Sequence, residues 1–556
     1  MQDNTQQNSQ LHSQLTVLVV DPNPGIRANL QNMLNQSGVS RIESAVNAST
    51  AVKQLARKGY DIILCEYDLG GTGAGAGQDG QQLLEDLRHH GLIPPWAIFI
   101  MLTSEAAYGK VVSAAELTPT DYVLKPFTAG VLNERIRRAL ARRAALLPVH
   151  QLAAAGQVRE AIRACADGAA AQPRYAQDFV RLRAELHVSI REYAQAEALY
   201  LQVLAAHPLG WARLGLARAL RAQGRVDDAV ARLQELVADN PRLMAAYDLL
   251  ARCLEERGDA AAAQKTLEDA VAISPYMVRR LRKLGEIALE TGDAAAAERS
   301  LRQVVQRSRY SEFRNPEDHV RLVEALVRKG DPAGAANVVR DLERSLRGTP
   351  AADACIAIAA SLLQDAAGNR GGAVQELRSA LGAMRAGGEL SSSMRISLAQ
   401  SLVEHRLDQE ASDVMMGALG GAGAASGDGG VSAAQALDVF VRAGRQDLAD
   451  GMGKQLRAQA QILLGVADEK RNMGDVRGAV QTLLDALRMA PNNLQVMIAV
   501  AGGVLRQIME MGWDEALATL SAEQLDHIRT LDPAHPRLQA LDAEFAAAKR
   551  KYGIST

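Results

Sequence analysis

The sequence has few cysteines, few aromatic residues and almost no net charge. Its 556 residues include four cysteines and 4% aromatic residues, and the formal net charge is −2. Cys65, Cys165, Cys253 and Cys355 lie far apart without a CxxC pair, so we expect buried thiols rather than disulfides or a zinc site. The near-neutral charge gives no support for broad attraction to nucleic acid or to anionic membranes.

Targeting and catalytic motifs are also missing. The polar start MQDNTQQNSQLHSQ lacks the layout of a signal peptide, and no apolar run approaches membrane-spanning length. We therefore expect a cytoplasmic protein without membrane contact, in which residues 1–13 form a disordered tail. The sequence has no nucleophile elbow, HExxH or kinase motif and no basic stripe with interleaved aromatics, so neither an enzyme nor a nucleic-acid-binding protein is expected.

The first part of the chain alternates between short apolar runs and stretches with helical spacing. The runs TVLVV, DIILC, WAIFIML and YVL are rich in valine and isoleucine, and RIESA adds a weaker strand. Between them apolar residues recur at helical spacing, for example at Ile26, Leu30 and Met33. Five alternations predict an α/β fold with a doubly wound parallel sheet of five strands.

Polar residues follow several of the predicted strands. They are Asp21 after the first strand, Glu66 after the third, Thr103 and Ser104 after the fourth, and Lys125 after the fifth. The functional crevice of a doubly wound sheet lies beyond the carboxyl ends of its strands. These residues are therefore the candidate site.

The motifs VLVVD, MLTS and DYVLKPF, with Asp79–Gly80 downstream of the third strand, resemble the CheY-like receiver domain of bacterial response regulators over 14–143. The resemblance implies a flavodoxin-like fold with a phosphate acceptor ending the third strand and two magnesium-binding acids after the first. It further implies that threonine, serine and lysine residues sense the phosphoryl group, with Thr103 and Tyr122 as a switch pair. The fourth and fifth strands would bind partners or allow a homodimer.

Two positions depart from the pattern that the resemblance implies. Pro22 stands where the family usually has its second acid, and Glu66 stands where it has the acceptor aspartate. Magnesium requires near-octahedral oxygen ligation, and a displacement of about 1 Å costs phosphoryl transfer roughly a hundredfold in rate. We expect that Glu66 is not a working acceptor and that magnesium binds weakly or not at all.

The longer side chain of Glu66 suggests another role. It can reach Lys125 or the hydroxyl of Thr103 and imitate a phosphorylated state. A partly exposed pair contributes about 1 kcal/mol, whereas a full switch takes about 5.5 kcal/mol, so we expect a partial bias. The alternatives are that Glu66 is neutral, or that Asp68 accepts phosphate, which the adjoining GGTGAGAG loop disfavours.

From residue 148 onward the sequence repeats itself. Prolines, alanines and glycines recur about every 34 residues, as at Pro208, Pro241 and Pro275. The segment MAAYDLLARCLEERGDAAAAQKTLEDAVAISP closely resembles a tetratricopeptide repeat, which implies pairs of antiparallel helices over 148–309.

The period changes beyond residue 310. Turn-like positions then recur about every 38 residues, with one shorter step after the fourth, at Gly330, Gly368, Arg406, Gly444, Gly474 and Gly512. We predict longer, divergent helical pairs over 310–545, with a glycine-rich loop at 417–430.

Tetratricopeptide arrays typically bind peptides in a groove lined by the first helix of each pair. In the 34-residue register the groove candidates are Trp211, Arg218, Arg221, Asp248, Arg252, Arg279, Arg282 and Glu286. Arginine binds carboxylates through a planar fork, so an acidic partner segment is one hypothesis. A solvated charged face is the other.

These features predict a non-enzymatic signalling adaptor. In that hypothesis a degenerate receiver domain is joined to a helical scaffold that binds a protein partner, for which another protein of a two-component pathway is one candidate. The alternative is a conventional response regulator that phosphorylation controls.

Overall fold

The structure is a computed structural model. The residues that it describes are 15–70, 79–104, 119–275, 277–309, 311–420 and 431–554. The tail predicted at 1–13, the glycine tract 71–78 and most of the predicted loop at 417–430 lie outside the described residues. The chain divides into two compact units, Met1–Ala335 and Ala336–Thr556.

The first unit begins with a five-stranded parallel sheet, as the sequence predicted. Its strand order is β2-β1-β3-β4-β5. The strands are β1 (Thr16–Val20), β2 (Arg41–Ala45), β3 (Ile62–Glu66), β4 (Ile98–Ser104) and β5 (Asp121–Lys125).

Helices pack on both faces of the sheet because its strands are apolar on both sides. Along β1, Val17 and Val19 belong to one apolar cluster, while Leu18 and Val20 belong to the cluster on the opposite face. The helices of this part are α1 (Pro24–Gln36), α2 (Ala48–Leu55), α3 (Gly80–His89) and α4 (Ala129–Ala154).

Strands β3, β4 and β5 extend beyond the carboxyl ends of their apolar runs. Glu66, Ser104 and Lys125 are the final residues of β3, β4 and β5, where the sequence placed them just after the strands. Glu66 aligns with Leu102 in the ladder, and Ser104 aligns with Lys125. Backbone pairing continues through these polar residues, which hydrophobic periodicity does not show.

Helix α4 crosses the boundary that the sequence predicted between 143 and 148. It runs without interruption to Ala154 and contains Pro148. Leu146 and Val149 pack in one apolar cluster with Phe179 of the repeat array. The last helix of the α/β part is therefore also the first helix of the array.

Paired helices follow through the rest of the first unit, as predicted. They are α5 (Val158–Ala171), α6 (Ala176–Ser189), α7 (Tyr193–Ala206), α8 (Gly210–Ala222), α9 (Val226–Asp239), α10 (Met244–Glu256), α11 (Ala260–Ile273), α12 (Val278–Glu290), α13 (Ala294–Ser308) and α14 (Glu317–Lys329). Helix α15 (Pro332–Leu346) begins in the first unit and ends in the second.

The turns within the pairs have left-handed backbone conformations. Gly224 and Gly258 have φ of 77° and 83°, which glycine adopts at no steric cost. Arg191, with φ of 59°, occupies an equivalent turn that the glycine spacing did not reveal. Arg406 also has φ of 59°, at a position that the spacing did reveal.

The second unit is also helical. Its helices are α16 (Pro350–Ala366), α17 (Arg370–Arg385), α18 (Ser392–Glu404), α19 (Asp408–Gly420), α20 (Ala433–Arg442), α21 (Gln446–Asn472), α22 (Val476–Met489), α23 (Leu494–Met511), α24 (Glu515–Leu531) and α25 (Pro536–Lys551). Between Gly444 and Gly474 the structure has the single 27-residue helix α21 rather than another pair. This explains the shorter step in the glycine spacing.

Helix α23 is an exception to the expectation that no segment approaches membrane-spanning length. Among the described residues it alone has the length and composition of a membrane span, with a mean hydropathy of 1.3 over 18 residues. Its Met497, Ala501 and Leu505 are buried against Leu525 and Leu538. One face of this helix therefore packs in the core of the second unit.

Candidate functional site

Asp21 lies at the carboxyl end of β1 and is 1% exposed. Its Oδ1 accepts a 2.8 Å hydrogen bond from the backbone N–H of Asn23. The intervening Pro22 supplies no side-chain oxygen, and Asn23 caps helix α1. The end of the first strand therefore presents one carboxylate where the resemblance implies two.

Lys125 links the ends of three strands. Its Nζ lies 3.1 Å from Oδ2 of Asp21 and donates a second hydrogen bond to Oε2 of Glu66. Burial alone lowers the pKa of Lys125, but the hydrogen bond to Glu66 and the two negative charges outweigh it, and the pKa is raised. The ammonium group thus stays charged between two carboxylates.

The other oxygen of Glu66 turns back toward its own backbone. Oε1 accepts hydrogen bonds from the N–H groups of Tyr67, at 2.8 Å, and Asp68, at 3.3 Å. Both carboxylate oxygens are therefore engaged. The sequence predicted Lys125 or the hydroxyl of Thr103 as the partner of Glu66, and Glu66 pairs with Lys125. The hydroxyl of Thr103 instead donates to the carbonyl of Ser104 at 3.3 Å.

The predicted switch residues lie along β4 and β5. Thr103 is fully buried and Ser104 is exposed at the end of its strand. Tyr122 aligns with Met101 in the ladder and is partly buried against the apolar cluster that lies under α2 and α3. The structure thus brings Asp21, Glu66 and Lys125 into contact at the carboxyl ends of β1, β3 and β5.

Asp79 and Gly80 bring helix α3 close to β3. A Cβ on Gly80 would lie 2.4 Å from the carbonyl oxygen of Glu66, which only glycine avoids. Asp79 caps the helix by accepting from the N–H of Gln82 at 2.7 Å. Burial raises the pKa of Asp79 to about 6, against the opposing effect of that hydrogen bond and the charge of Arg307.

The oxygens at the site fit magnesium poorly. Magnesium prefers octahedral oxygen ligation and keeps several waters. Among the described residues, the carboxylates that contact Lys125 are those of Asp21 and Glu66, and each of their four oxygens already accepts a hydrogen bond from a backbone N–H or from the ammonium of Lys125. Within the described ranges no cluster of three or more histidine, cysteine or acidic side chains could hold a metal ion.

Several of the predicted groove residues are engaged in internal contacts. Trp211 is partly buried, with its ring centroid 6.3 Å from that of Tyr200. The charged candidates with ion pairs are Arg221 with Glu256, Asp248 with Arg280, and Arg282 with Asp318. Glu286 is partly buried, and burial raises its pKa.

Arg280 is a buried residue that the sequence interpretation missed. Its side chain is 0% exposed and donates two 2.8 Å hydrogen bonds to the carboxylate of Asp248. The 34-residue register placed its neighbours Arg279 and Arg282 in the groove. Arg280 lies on the apolar side of the helix, where the register predicts no charged residue. Charge pairing between α10 and α12 explains it.

Arg218 of α8 and Arg252 of α10 are exposed, and neither forms an ion pair within the part of the chain that the structure describes. Burial among protein atoms is the main cause of the lowered pKa of Arg218. The negative charge of Glu185 opposes this shift, and the positive charge of Arg252 adds to it. The first helices α6, α8 and α10 thus share one charged face.

Arg279 meets the α/β part of its own unit. Its guanidinium lies 3.6 Å from the carboxylate of Glu85 on α3, whose side chain is 6% exposed. One end of the predicted groove therefore contacts the domain that precedes it in the chain.

Two segments of the first unit match known protein families. The family described as response regulator receiver domain matches residues 17–137, and the family described as tetratricopeptide repeat matches residues 214–278. The first match covers the α/β part of the chain, and the second covers part of the helical array.

Relatives match the receiver domain over nearly their whole length. Chemotaxis protein CheY-3 of Vibrio cholerae is 25% identical over 132 residues, which are 24% of this chain and 96% of that protein. Chemotaxis protein CheY of Pseudomonas aeruginosa is 27% identical over 128 residues, 23% of this chain and 98% of that protein. A tetratricopeptide repeat protein from Parabacteroides merdae is similar in structure, with 11% identity and a TM-score of 0.29, over 44% of this chain and 93% of that one.

Proposed function

We propose that this response regulator is a non-enzymatic signalling adaptor whose receiver domain takes no phosphoryl group and whose repeats bind a protein partner. The observation that carries the proposal is the position of Lys125, which contacts both Asp21 and Glu66. A cytoplasmic location is part of the proposal, and both kinds of domain favour it. A homodimer through the receiver stays a prediction.

The contacts of Glu66 explain why transfer is not expected. A phosphoryl acceptor needs a carboxylate oxygen that is free to attack in line with the leaving group. Here Oε1 accepts two backbone N–H groups and Oε2 accepts the ammonium of Lys125. Attack would require Glu66 to give up these bonds and to turn toward a metal ion that the site is poorly equipped to bind.

The same contacts support a fixed signalling state. Glu66 holds Lys125 by a hydrogen bond without any modification, and the side chains of the two residues are 14% and 20% exposed. A pair of this kind contributes about 1 kcal/mol, which biases a two-state equilibrium without locking it. Glu66→Gln separates the two roles: a change in partner affinity supports a fixed bias, and an unchanged affinity supports a neutral Glu66.

The partner surface follows from Arg218 and Arg252. Their exposed guanidinium groups lie on successive first helices, and arginine forks suit carboxylates. We therefore infer an acidic, extended protein segment as the partner.

Fluorescence anisotropy with a labelled peptide of alternating glutamate and leucine tests this surface. The double variant Arg218→Glu/Arg252→Glu is expected to lose at least about tenfold in affinity, from the loss of two charge-assisted contacts. Arg242→Glu, on an exposed turn, is the matched control and should bind as the wild type does. Equal affinity of the double variant and the control would refute the groove assignment. The substitutions leave Arg282 in place because it is paired inside the array.

A further inference from the structure

The connection between α13 and α14 is longer than the other connections between helices of the array in the first unit. It runs from Arg309 to Pro316, whereas the connection between α11 and α12 runs only from Ser274 to Met277. This is the place where the spacing of the turns lengthens in the sequence. We call residues 311–316 the docking segment.

Phe313 of the docking segment contacts the receiver domain. Its ring stacks on that of His90, with centroids 3.9 Å apart and planes inclined by 13°. Phe313 also packs against the apolar cluster between the sheet and helices α2 and α3. A stack of this kind stabilises a contact beyond the burial of apolar area.

Polar contacts surround this stack. Ser311 Oγ donates to Oδ2 of Asp86 on α3 at 3.2 Å. Glu312 accepts a hydrogen bond from the hydroxyl of Ser49 on α2, and Nζ of Lys53 lies 3.3 Å from Glu312 Oε1. The docking segment therefore contacts two neighbouring helices of the receiver.

The array adds a contact outside the docking segment. The guanidinium of Arg279 on α12 lies 3.6 Å from the buried carboxylate of Glu85. Arg279 is a predicted groove residue, so the receiver lies against the end of the surface on which the proposed partner would bind.

We propose that the docking segment binds the receiver of the same chain to the array, so that the receiver covers the Arg279 end of the groove and leaves the Arg218 and Arg252 part for a partner. The contacts involve α2 and α3, not the surface of the fourth and fifth strands that the family resemblance implies. The assignment of the Arg218 and Arg252 part of the groove to a partner rests on the proposed function. The docking of the receiver does not.

Cysteine cross-linking in the full chain tests the docking. The pair Asp86→Cys/Ser311→Cys should form an intramolecular disulfide under mild oxidation, because the native side chains are 3.2 Å apart and the four native cysteines are buried. The control pair Asp86→Cys/Arg232→Cys places the second thiol on α9, on an exposed side chain. Similar rates for both pairs would overturn the proposal.

Hydrogen exchange provides a second measurement without new thiols. Phe313→Ala should raise amide exchange in α2 and α3 at least about fivefold, while exchange in the central strands β1 and β3 stays as in the wild type. Unchanged exchange in both helices would contradict the docking. Neither measurement includes a partner. A negative result in the peptide-binding test would therefore not affect the docking, and a negative docking result would not affect the partner surface.

Docking of the receiver should also change the affinity for the partner. If the receiver covers one end of the groove, Phe313→Ala should increase the affinity for the glutamate–leucine peptide, and Arg279→Glu should remove that increase. A decrease in affinity on Phe313→Ala would show that the docked receiver forms part of the binding surface rather than covering it, and would overturn this part of the proposal.

Discussion

The ammonium group of Lys125, at the end of β5, donates a hydrogen bond to the carboxylate of Glu66, at the end of β3. It also lies 3.1 Å from the buried carboxylate of Asp21. Three strands of the receiver are thus joined at their carboxyl ends by charges that the chain itself supplies. The proposed function requires this arrangement to be stable without a phosphoryl group.

Removal of the Lys125 charge should destabilise the receiver. Lys125→Met leaves Asp21 and Glu66 facing each other without a cation, and breaking a buried pair is costly. Because the side chain of Lys125 is 20% exposed, we expect a loss of about 2 kcal/mol in the free energy of unfolding, measured with urea. Lys265→Met, in a pair whose side chains are 74% and 53% exposed, should change it by less than about 0.5 kcal/mol. Equal effects would contradict the arrangement.

The pair of Arg282 and Asp318 should be structural rather than partner-binding. Asp318 is 2% exposed and accepts two hydrogen bonds from Arg282, at 2.6 and 2.8 Å. Asp318→Ala leaves the guanidinium without its partner, so we expect about 2–3 kcal/mol of destabilisation. Glu235→Ala, which removes an exposed pair with Arg232, is the control and should be nearly neutral. Denaturant titration compares them, and a neutral Asp318→Ala would show that this pair does not stabilise the array.

Close approach of helices within the array should make Gly285 sensitive to enlargement. A Cβ at Gly285 would lie 2.5 Å from Cγ of Leu301. We expect Gly285→Ala to destabilise the first unit by about 1–3 kcal/mol because the interior cannot accept the added methyl group. Gly382, in helix α17, has no atom within 4 Å of such a Cβ, so Gly382→Ala should stabilise its helix by up to about 1 kcal/mol. Thermal unfolding should show a lower stability for Gly285→Ala and a higher stability for Gly382→Ala than for the wild type. A change in stability of the same sign in both variants would contradict the packing.

Receiver docking should weaken in acid. Burial, and then the charge of Arg279, lower the pKa of His90 in the docked state. Glu85, Asp86, Arg88 and His89 on α3 and Arg279 on α12 are the other titratable groups near it. Burial also lowers the pKa of His89. Docking is therefore strongest above about pH 6.5, where His90 is neutral in both states, and it declines as the pH falls below that value.

The variant His90→Phe isolates this effect. It keeps an aromatic ring against Phe313 but cannot be protonated, so hydrogen exchange in α3 should depend less on pH between about 7 and 5 than in the wild type. An identical pH dependence in the two proteins would assign the titration to another group.

The sheet and the repeat pairs could be predicted because their information is local. Buried strands appear as short runs such as TVLVV, and repeats appear as a period of turns and small residues. Strand ends were less certain, since Glu66 and Lys125 continue the ladder although they are polar. The turn at Arg191 was missed because arginine does not usually adopt a positive φ.

Contacts between distant parts of the chain could not be predicted. The longer spacing after residue 310 was visible, but nothing near Phe313 indicates that it stacks on His90. Arg282 looked like a groove residue by its register, and only the position of Asp318 shows that it is paired. At the receiver site, the expected contact between Glu66 and Lys125 came from comparing side-chain lengths, but the bonds from Tyr67 and Asp68 depend on backbone geometry.

The most direct test of the central claim is phosphorylation of the purified full chain. Acetyl phosphate and magnesium are added, and intact mass spectrometry compares the wild type, Glu66→Asp and Pro22→Asp/Glu66→Asp. The account predicts no phosphoryl adduct on the wild type, little on Glu66→Asp, and a labile adduct on the double variant, which regains both missing features. A stable phosphoryl group on Glu66 of the wild type would contradict it.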